Sequence, residues 1–231
     1  MKPQAAIFDM DGLLLDTEQV CMRVFQEACQ AVDVPFLREV YLSIIGCNAQ
    51  RINQILTDGY APYIDYQLLH NEWRKRYNAV VLHEAIPVRP GVIAMLDWLK
   101  SQDIPCAVAT STQKEVALIK LELAGLTHYF DNITTGCEVT QSKPQPDIYL
   151  LAAKRLGIAP EQCIAFEDSN NGVRAAVAAN MLTYQIPDLV EPCTEVQNLG
   201  HTIVSSMDQA LAILHKKQEA EDELTCVTEI D

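Results

Sequence analysis

Basic residues are scarce in this chain: 17 Lys and Arg stand against 31 Asp and Glu, a net charge of −14. A surplus of that size repels nucleic-acid backbones and anionic lipid headgroups, so neither is expected as a partner. The imbalance is not confined to one end, because Lys216–Asp231 holds six acids and two bases and the rest stays acidic without it. An anionic substrate therefore needs a locally positive pocket. Also missing is any CxxC pair or Cys/His cluster at zinc spacing. The cysteines (Cys21, Cys29, Cys47, Cys106, Cys137, Cys163, Cys193 and Cys226) are scattered, and we read them as reduced, mostly buried fillers in a chain long enough to fold without a disulfide framework. No window supplies the ~18 uninterrupted apolar residues of a membrane span, and Asp9, Asp11 and Asp16 break the N-terminal apolar run before it can act as a secretory signal. The expectation is a soluble, cytoplasmic protein. Internal repeats and low-complexity tracts are absent as well.

The 231 residues, 49% apolar and 21% charged, have the composition of an ordinary globular protein and suit one sizeable core with an inserted lobe. Short apolar runs of strand length recur at Ala5–Phe8, Cys106–Thr110, Cys163–Phe166, Thr183–Ile186 and Thr202–Val204. Between them Gly91–Ser101, Lys114–Ala124, Asp147–Leu156 and Asn170–Ala179 repeat apolar residues every three or four positions. This alternation predicts an α/β fold, a parallel sheet flanked by helices. Residues 16–87 read differently, with amphipathic helical segments at Glu18–Val32 and Tyr66–Leu82 and no convincing strand. They are expected to form a helical lobe inserted into a discontinuous core of residues 1–15 and 88–215. Two crossings, near Leu15–Thr17 and Pro87–Gly91, then join lobe to core and can act as a hinge. Residues 216–231 read as an acidic, solvated or frayed tail.

The chemistry-bearing residues fall where strands end, the edge at which open α/β sheets bind ligands. The first strand runs into Asp9-Met10-Asp11-Gly12. Thr110-Ser111-Thr112 follows the second, and such a loop either binds an oxyanion or caps the next helix, with Ser111 or Thr112 accepting from its first turn and Glu115 completing a capping box. Lys143 lies in a loop stiffened by Pro144 and Pro146, where its ammonium faces the carboxylates, a phosphate, or both. The run Cys163–Phe166 delivers Glu167-Asp168, and Asp168 doubles as a candidate helix cap. Four carboxylates on one edge repel each other unless a cation sits among them. Hard oxygen ligands with few histidines nearby favour Mg²⁺ over zinc.

The ordered set Asp9-x-Asp11, Thr110, Lys143 and Glu167-Asp168 resembles the four motifs of the haloacid dehalogenase-like hydrolase superfamily, over essentially the whole chain. More narrowly, FDMDGLLLDTE, VATSTQ, SKPQPDIYL and FEDSNNGVRAA resemble the β-phosphoglucomutase-like branch with its sugar-phosphate, hexitol-phosphate and pseudouridine-phosphate phosphatases. The resemblance implies a Rossmann-like core with a helical cap and a phosphatase of small phosphorylated metabolites. It implies Asp9 as nucleophile through an aspartyl-phosphate, Asp11 as general acid and base, and Thr110, Ser111 and Lys143 as phosphate holders. Mg²⁺ would be held by Asp9, the Asp11 carbonyl and Asp168, with Glu167 near or acting through water. Gly46, Asn48, Gln50 and Arg51 fall in the expected specificity loop of the cap. Arg74, Lys75 and Arg76 could face the cleft, but we prefer to read them as a solvated basic face.

Two departures bear on the reaction. Cys21 stands where the mutase pattern has a cap histidine, and Ala49 where it has an arginine for the distal phosphate. Both favour hydrolysis over phosphoryl transfer within a sugar, while Asp11 supplies a proton donor that dehalogenation does not use. A phosphomutase is the alternative, and a non-catalytic binding module a further one. A monomer is expected.

Overall fold

The computed structural model of the chain describes residues 3–45 and 49–228, with side chains for 3–45 and 51–220. Among these residues, six parallel strands form one sheet in the order β3-β2-β1-β4-β5-β6. They are β1 (Ala5–Phe8), β2 (Cys106–Thr110), β3 (Asn132–Thr135), β4 (Cys163–Glu167), β5 (Leu182–Gln185) and β6 (Thr202–Ile203). The helices are α1 (Thr17–Ala31), α2 (Arg38–Leu42), α3 (Ala49–Tyr60), α4 (Tyr66–His83), α5 (Val92–Ser101), α6 (Lys114–Leu123), α7 (Asp147–Leu156), α8 (Asn170–Ala178), α9 (Thr194–Gln197) and α10 (Met207–Thr228). None is long and apolar enough to cross a membrane.

A parallel sheet is covered on both faces, so its central strands are apolar at every position and side chains alternate between two cores. In β1 every residue is fully buried. Ala6 and Phe8 point to the larger core, built with α5, α6 and α10, and Phe8 stacks on Phe166 at 4.7 Å. Ala5 and Ile7 point to the other, where Ala107, Ala109 and Ala165 of the sheet meet Ala152, Ala153, Ala175 and Ala176 of α7 and α8. Small residues on both sides let these helices approach closely. The pairing of Phe8 with Val108 and with Phe166 sets the three central strands level at their C-terminal ends. Asp9, Thr110 and Glu167 consequently emerge together.

Helices α1 to α4 form a lobe with its own core, in which Phe25 packs against Tyr41, Tyr60 and Trp73. The chain leaves and re-enters the sheet domain side by side: Leu15 pairs with Val88, the Asp16 amide donates to the Pro87 carbonyl, and the Arg89 amide to that of Leu14.

Several expectations need correction. Strand β3 was not expected; it is an edge strand of sequence Asn-Ile-Thr-Thr, with too little apolar character to signal itself. The segment from Lys216 continues α10 as far as Thr228 and does not fray at once, Lys217 donating to the Tyr184 hydroxyl and Gln218 to the Gln102 side chain. Of the six cysteines whose state is described, all are free, but Cys137 and Cys193 are exposed and only Cys29, Cys106 and Cys163 are buried.

Candidate active site

Lys143 is the centre of the site. Its ammonium donates to Asp9 Oδ1 at 2.5 Å, to Glu167 Oε1 at 2.6 Å and to the Ala109 carbonyl at 3.0 Å, linking the ends of β1, β2 and β4. The loop that presents it passes through a cis Lys143–Pro144 peptide. Burial alone would lower this lysine's proton affinity, but Asp9 and Glu167 outweigh it and hold the group above the ordinary lysine range.

Glu167 is fully buried, and both its oxygens are taken. Oε1 also accepts from the Tyr149 hydroxyl at 2.7 Å, while Oε2 accepts from the amides of Asp168 and Ser169 and from the Ser169 hydroxyl. The start of α8 crowds in so closely that a Cβ on Gly172 would fall 1.8 Å from Oε1. Glu167 thus anchors the lysine and the turn after β4. The Ser169 side chain, not that of Asp168, caps α8 by accepting from the Gly172 amide.

Asp168 is the opposite case. Its Oδ1 is buried and without a hydrogen-bond partner, and burial, then the charges of Glu167 and Asp9, push its carboxyl well above the usual range. Asp9 is raised to about 7, first by burial, opposed by Lys143 and reinforced by Glu167 and Asp11. Carboxylate oxygens of Asp9, Glu167 and Asp168 lie within 4.8 Å of one another. Gly12 makes room for this, since at φ 87° a Cβ there would meet Asp168 Oδ2 at 2.4 Å. An unpartnered buried oxygen beside two further carboxylates is what a hard divalent cation satisfies, and this donor set fits one.

Asp11 turns away from that group. Its carboxylate accepts from Lys120 Nζ at 2.7 Å and from the Thr112 hydroxyl at 2.6 Å, so its side chain stands apart from the three acids. Lys120, on α6, is only 2% exposed and also donates to the hydroxyl of Tyr77 on α4. Thr110 is buried, its hydroxyl accepting from the Thr112 amide, and Ser111 lines the cleft. Neither Ser111 nor Thr112 caps α6: the residue preceding that helix is Gln113, without a side-chain cap, and Glu115 completes no box.

A cleft of about 580 Å³ lies between these strand ends and the lobe. Its floor holds Asp9, Lys143 and Asp168, and its roof includes Cys21, Tyr41, Ile52 and Trp73. Of the expected specificity residues, Gly46 and Asn48 lie outside the described residues, as does the side chain of Gln50, while Arg51 is exposed on α3. Lys75 and Arg76 pair with Glu72 on the surface of α4, and neither they nor Arg74 lines the cleft.

Three participants escaped the sequence reading: Tyr149, Tyr77 and Lys120. For Lys120 a signal existed, because with Ala117, Leu121 and Ala124 it occupies the apolar stripe of a helix, where an unpaired charge is not tolerated.

The family model described as haloacid dehalogenase-like hydrolase matches residues 6–186. The chain is 34% identical over 181 residues to the Phosphorylated carbohydrates phosphatase of Thermotoga maritima, covering 77% of this chain and 82% of that one. It is 33% identical over 175 residues to the Fructose-1-phosphate phosphatase YqaB of Escherichia coli, covering 76% and 92%. Among solved structures, a variant of CbbY from Rhodobacter sphaeroides in complex with xylulose-1,5-bisphosphate superposes with a TM-score of 0.66 at 28% identity, covering 89% of this chain and 95% of that one.

Proposed function

The chain belongs to the haloacid dehalogenase-like hydrolase family, and from that premise we propose a magnesium-dependent phosphatase of small phosphorylated metabolites, a sugar, sugar-alcohol or nucleoside monophosphate. The observation that carries the reading is the convergence of Asp9, Lys143 and the unpartnered Asp168 oxygen on one strand edge, at the floor of a cleft sized for a small metabolite.

Asp9, the Asp11 carbonyl and Asp168 would hold the cation, with Glu167 behind them. When bound, a divalent cation offsets the carboxylates and the charge of the transferring phosphoryl group. An oxygen of Asp9 attacks phosphorus as the bond to the substrate alcohol breaks, giving an aspartyl-phosphate. Lys143 and the Thr110-Ser111 turn neutralise and orient the phosphoryl oxygens. Asp11, protonated once it has left Lys120 and Thr112, gives that proton to the departing alkoxide, then takes one from the water that attacks the acyl phosphate and frees inorganic phosphate with Asp9 regenerated. This role requires Asp11 to leave Lys120 and Thr112 and reach the leaving oxygen, a rotation of one side chain. The helical lobe acts as a cap that covers the cleft during transfer, the paired crossings at Leu15 and Val88 serving as its hinge. Cys21 in the cap wall, in place of a histidine, favours hydrolysis over transfer within a sugar.

The test is a phosphate-release screen of phosphorylated metabolites with Mg²⁺, using the wild type and Asp9→Asn. Release by the wild type, lost by orders of magnitude in the folded variant, is expected. No release from any ester, or near-normal release by Asp9→Asn, would overturn the reading.

A further inference from the structure

Asp168 is held by its backbone. Its Oδ1 has no hydrogen-bond partner, so the direction in which that oxygen points follows from how the residue's amide and carbonyl are fixed. At one end the Asp168 amide donates to Glu167 Oε2 at 3.1 Å. At the other its carbonyl accepts from the Gln185 side-chain nitrogen at 3.3 Å. Asp168 lies one residue past the end of β4, where the Ile186 amide closes the pairing with β5 on the Glu167 carbonyl, and Gln185 carries the grip one residue further.

Gln185 is itself fixed from the next strand. It is fully buried, so both ends of its carboxamide need partners. The Asp168 carbonyl can only accept, which turns the amide nitrogen toward it and leaves Oε1 facing His201 Nε2 at 2.8 Å, just ahead of β6. Oε1 can only accept in its turn, and this assigns the imidazole proton to Nε2. His201 Nδ1 is buried without a partner, so a second ring proton would have no acceptor, and burial holds the ring below the ordinary histidine range. The ring therefore stays a single donor aimed at Gln185. Neither residue lines the cleft.

We propose that Gln185 and His201 are positioning residues for cation binding, a line of hydrogen bonds from the start of β6 to the Asp168 carbonyl that aims the Asp168 carboxylate at the other acids of the site. Glu167 and Gln185 clamp Asp168 from its two ends, so a cation meets a ligand that is already oriented. Side chains behind a metal ligand set its orientation, and losing one typically weakens metal binding about 10- to 100-fold. A purely structural pair would instead lower the melting temperature and leave the affinity for metal alone. The inference rests on the metal-dependent phosphatase reading and adds to it two residues that touch neither substrate nor cation.

Calorimetric titration of Mg²⁺ into the full chain, freed of metal and without substrate, gives the Kd for the wild type, Gln185→Met, His201→Leu and His201→Gln. Gln185→Met keeps the length of the side chain and removes both hydrogen bonds, so its Kd should rise about 10- to 100-fold. His201→Leu, which frees Gln185 but leaves its bond to Asp168 available, should raise it severalfold. His201→Gln offers Oε1 an amide donor in place of the ring and should restore most of the affinity. On 4-nitrophenyl phosphate the Mg²⁺ concentration giving half-maximal rate should rise in the same order, with KM for the ester at saturating Mg²⁺ unchanged. If Gln185→Met does not fold, the two His201 variants decide. Equal Kd in the wild type and the folded variants, whatever their melting temperatures, or equal weakening by His201→Leu and His201→Gln, overturns the brace and leaves the phosphatase reading standing. A wild type that binds no Mg²⁺ and releases no phosphate overturns both.

Discussion

The Lys120 ammonium lies 2.7 Å from the Asp11 carboxylate, joining a core helix to the residue assigned to proton transfer. The Tyr77 hydroxyl, 3.1 Å away on the lobe, completes the contact, so the resting position of Asp11 depends on both domains. Lys120→Met should leave that carboxylate without its ammonium partner, and turnover of an alkyl phosphate should fall about 10- to 100-fold, at or below the low end of what general acid–base catalysis contributes. Lys120→Arg should restore most of it. Steady-state rates on alkyl and aryl esters decide: equal losses on both, or no rescue by Arg, would assign Lys120 to structure alone.

Asp11→Asn removes the proton donor but not the nucleophile. We expect a loss of ~10²–10⁴-fold on an alkyl phosphate and a much smaller one on 4-nitrophenyl phosphate, whose leaving group departs without a proton. An equal loss on the two esters would argue against the role.

The unpartnered oxygen of Asp168 makes metal binding measurable without turnover. Saturating Mg²⁺ should raise the melting temperature, since a ligand at 100 times its Kd stabilises by about 2.7 kcal/mol. Asp168→Asn should remove that increment without destabilising the metal-free protein, because it deletes a buried like charge. EDTA should abolish turnover and Mg²⁺ restore it. Ca²⁺ should restore little, as its higher coordination number lets it take both oxygens of Asp9 and turn the nucleophile from phosphorus. Full activity after exhaustive chelation would refute metal dependence.

Gly172→Ala places a Cβ 1.8 Å from a carboxylate that five donors hold still. Overpacking of this kind costs about 1–3 kcal/mol, a fall of roughly 2–12 °C in melting temperature for a chain of this length. Because Glu167 positions Lys143, turnover should fall as well. A variant that melts and turns over as the wild type does would show that α8 gives way instead.

Glu138 provides a stability signal remote from the site. Hydrogen bonds from Arg155 and Thr135, and one from Lys114, hold its carboxyl at about 2 against an ordinary 4.5. A depressed carboxylate stabilises the fold fully above its unfolded value and loses that contribution as pH falls toward its folded one. The stability difference between wild type and Glu138→Gln should therefore be constant above pH ~5 and vanish between about 4.5 and 2. Solvent screening limits it to about 1 kcal/mol. Denaturant titrations across that range give the answer, and a difference that persists at pH 2 would contradict the assignment.

The parts of the fold written in local pattern were legible, and those made by packing were not. Ala5–Phe8 and Cys163–Phe166 declare themselves because a strand buried on both faces leaves no polar position to interrupt the run. Asn132–Thr135 hides because an edge strand needs no such run. Asp9, Lys143 and Glu167-Asp168 could be picked out since each follows a strand or sits in a proline-bound loop. Tyr149 and Lys120 could not be matched to Glu167 and Asp11, because the helix rotation that brings them there is fixed by the core and not by neighbours in sequence. Asp188 lies in a loop of no regular pattern and owes its orientation to Arg89, 99 positions away.

The antiparallel bridge between Leu15 and Val88 makes the exit and return of the chain a single doorway. The register of β1 against β2 and β4 is set by ladder pairs that all lie outside the stretch between those residues. The bonds that tie Asp9, Lys143 and Glu167 together all come from the sheet side of that doorway. The lobe reaches the chemistry at one traced point, where Tyr77 holds Lys120 against Asp11, so a change of selectivity that spares that contact leaves Asp9, Lys143 and Glu167 as they are.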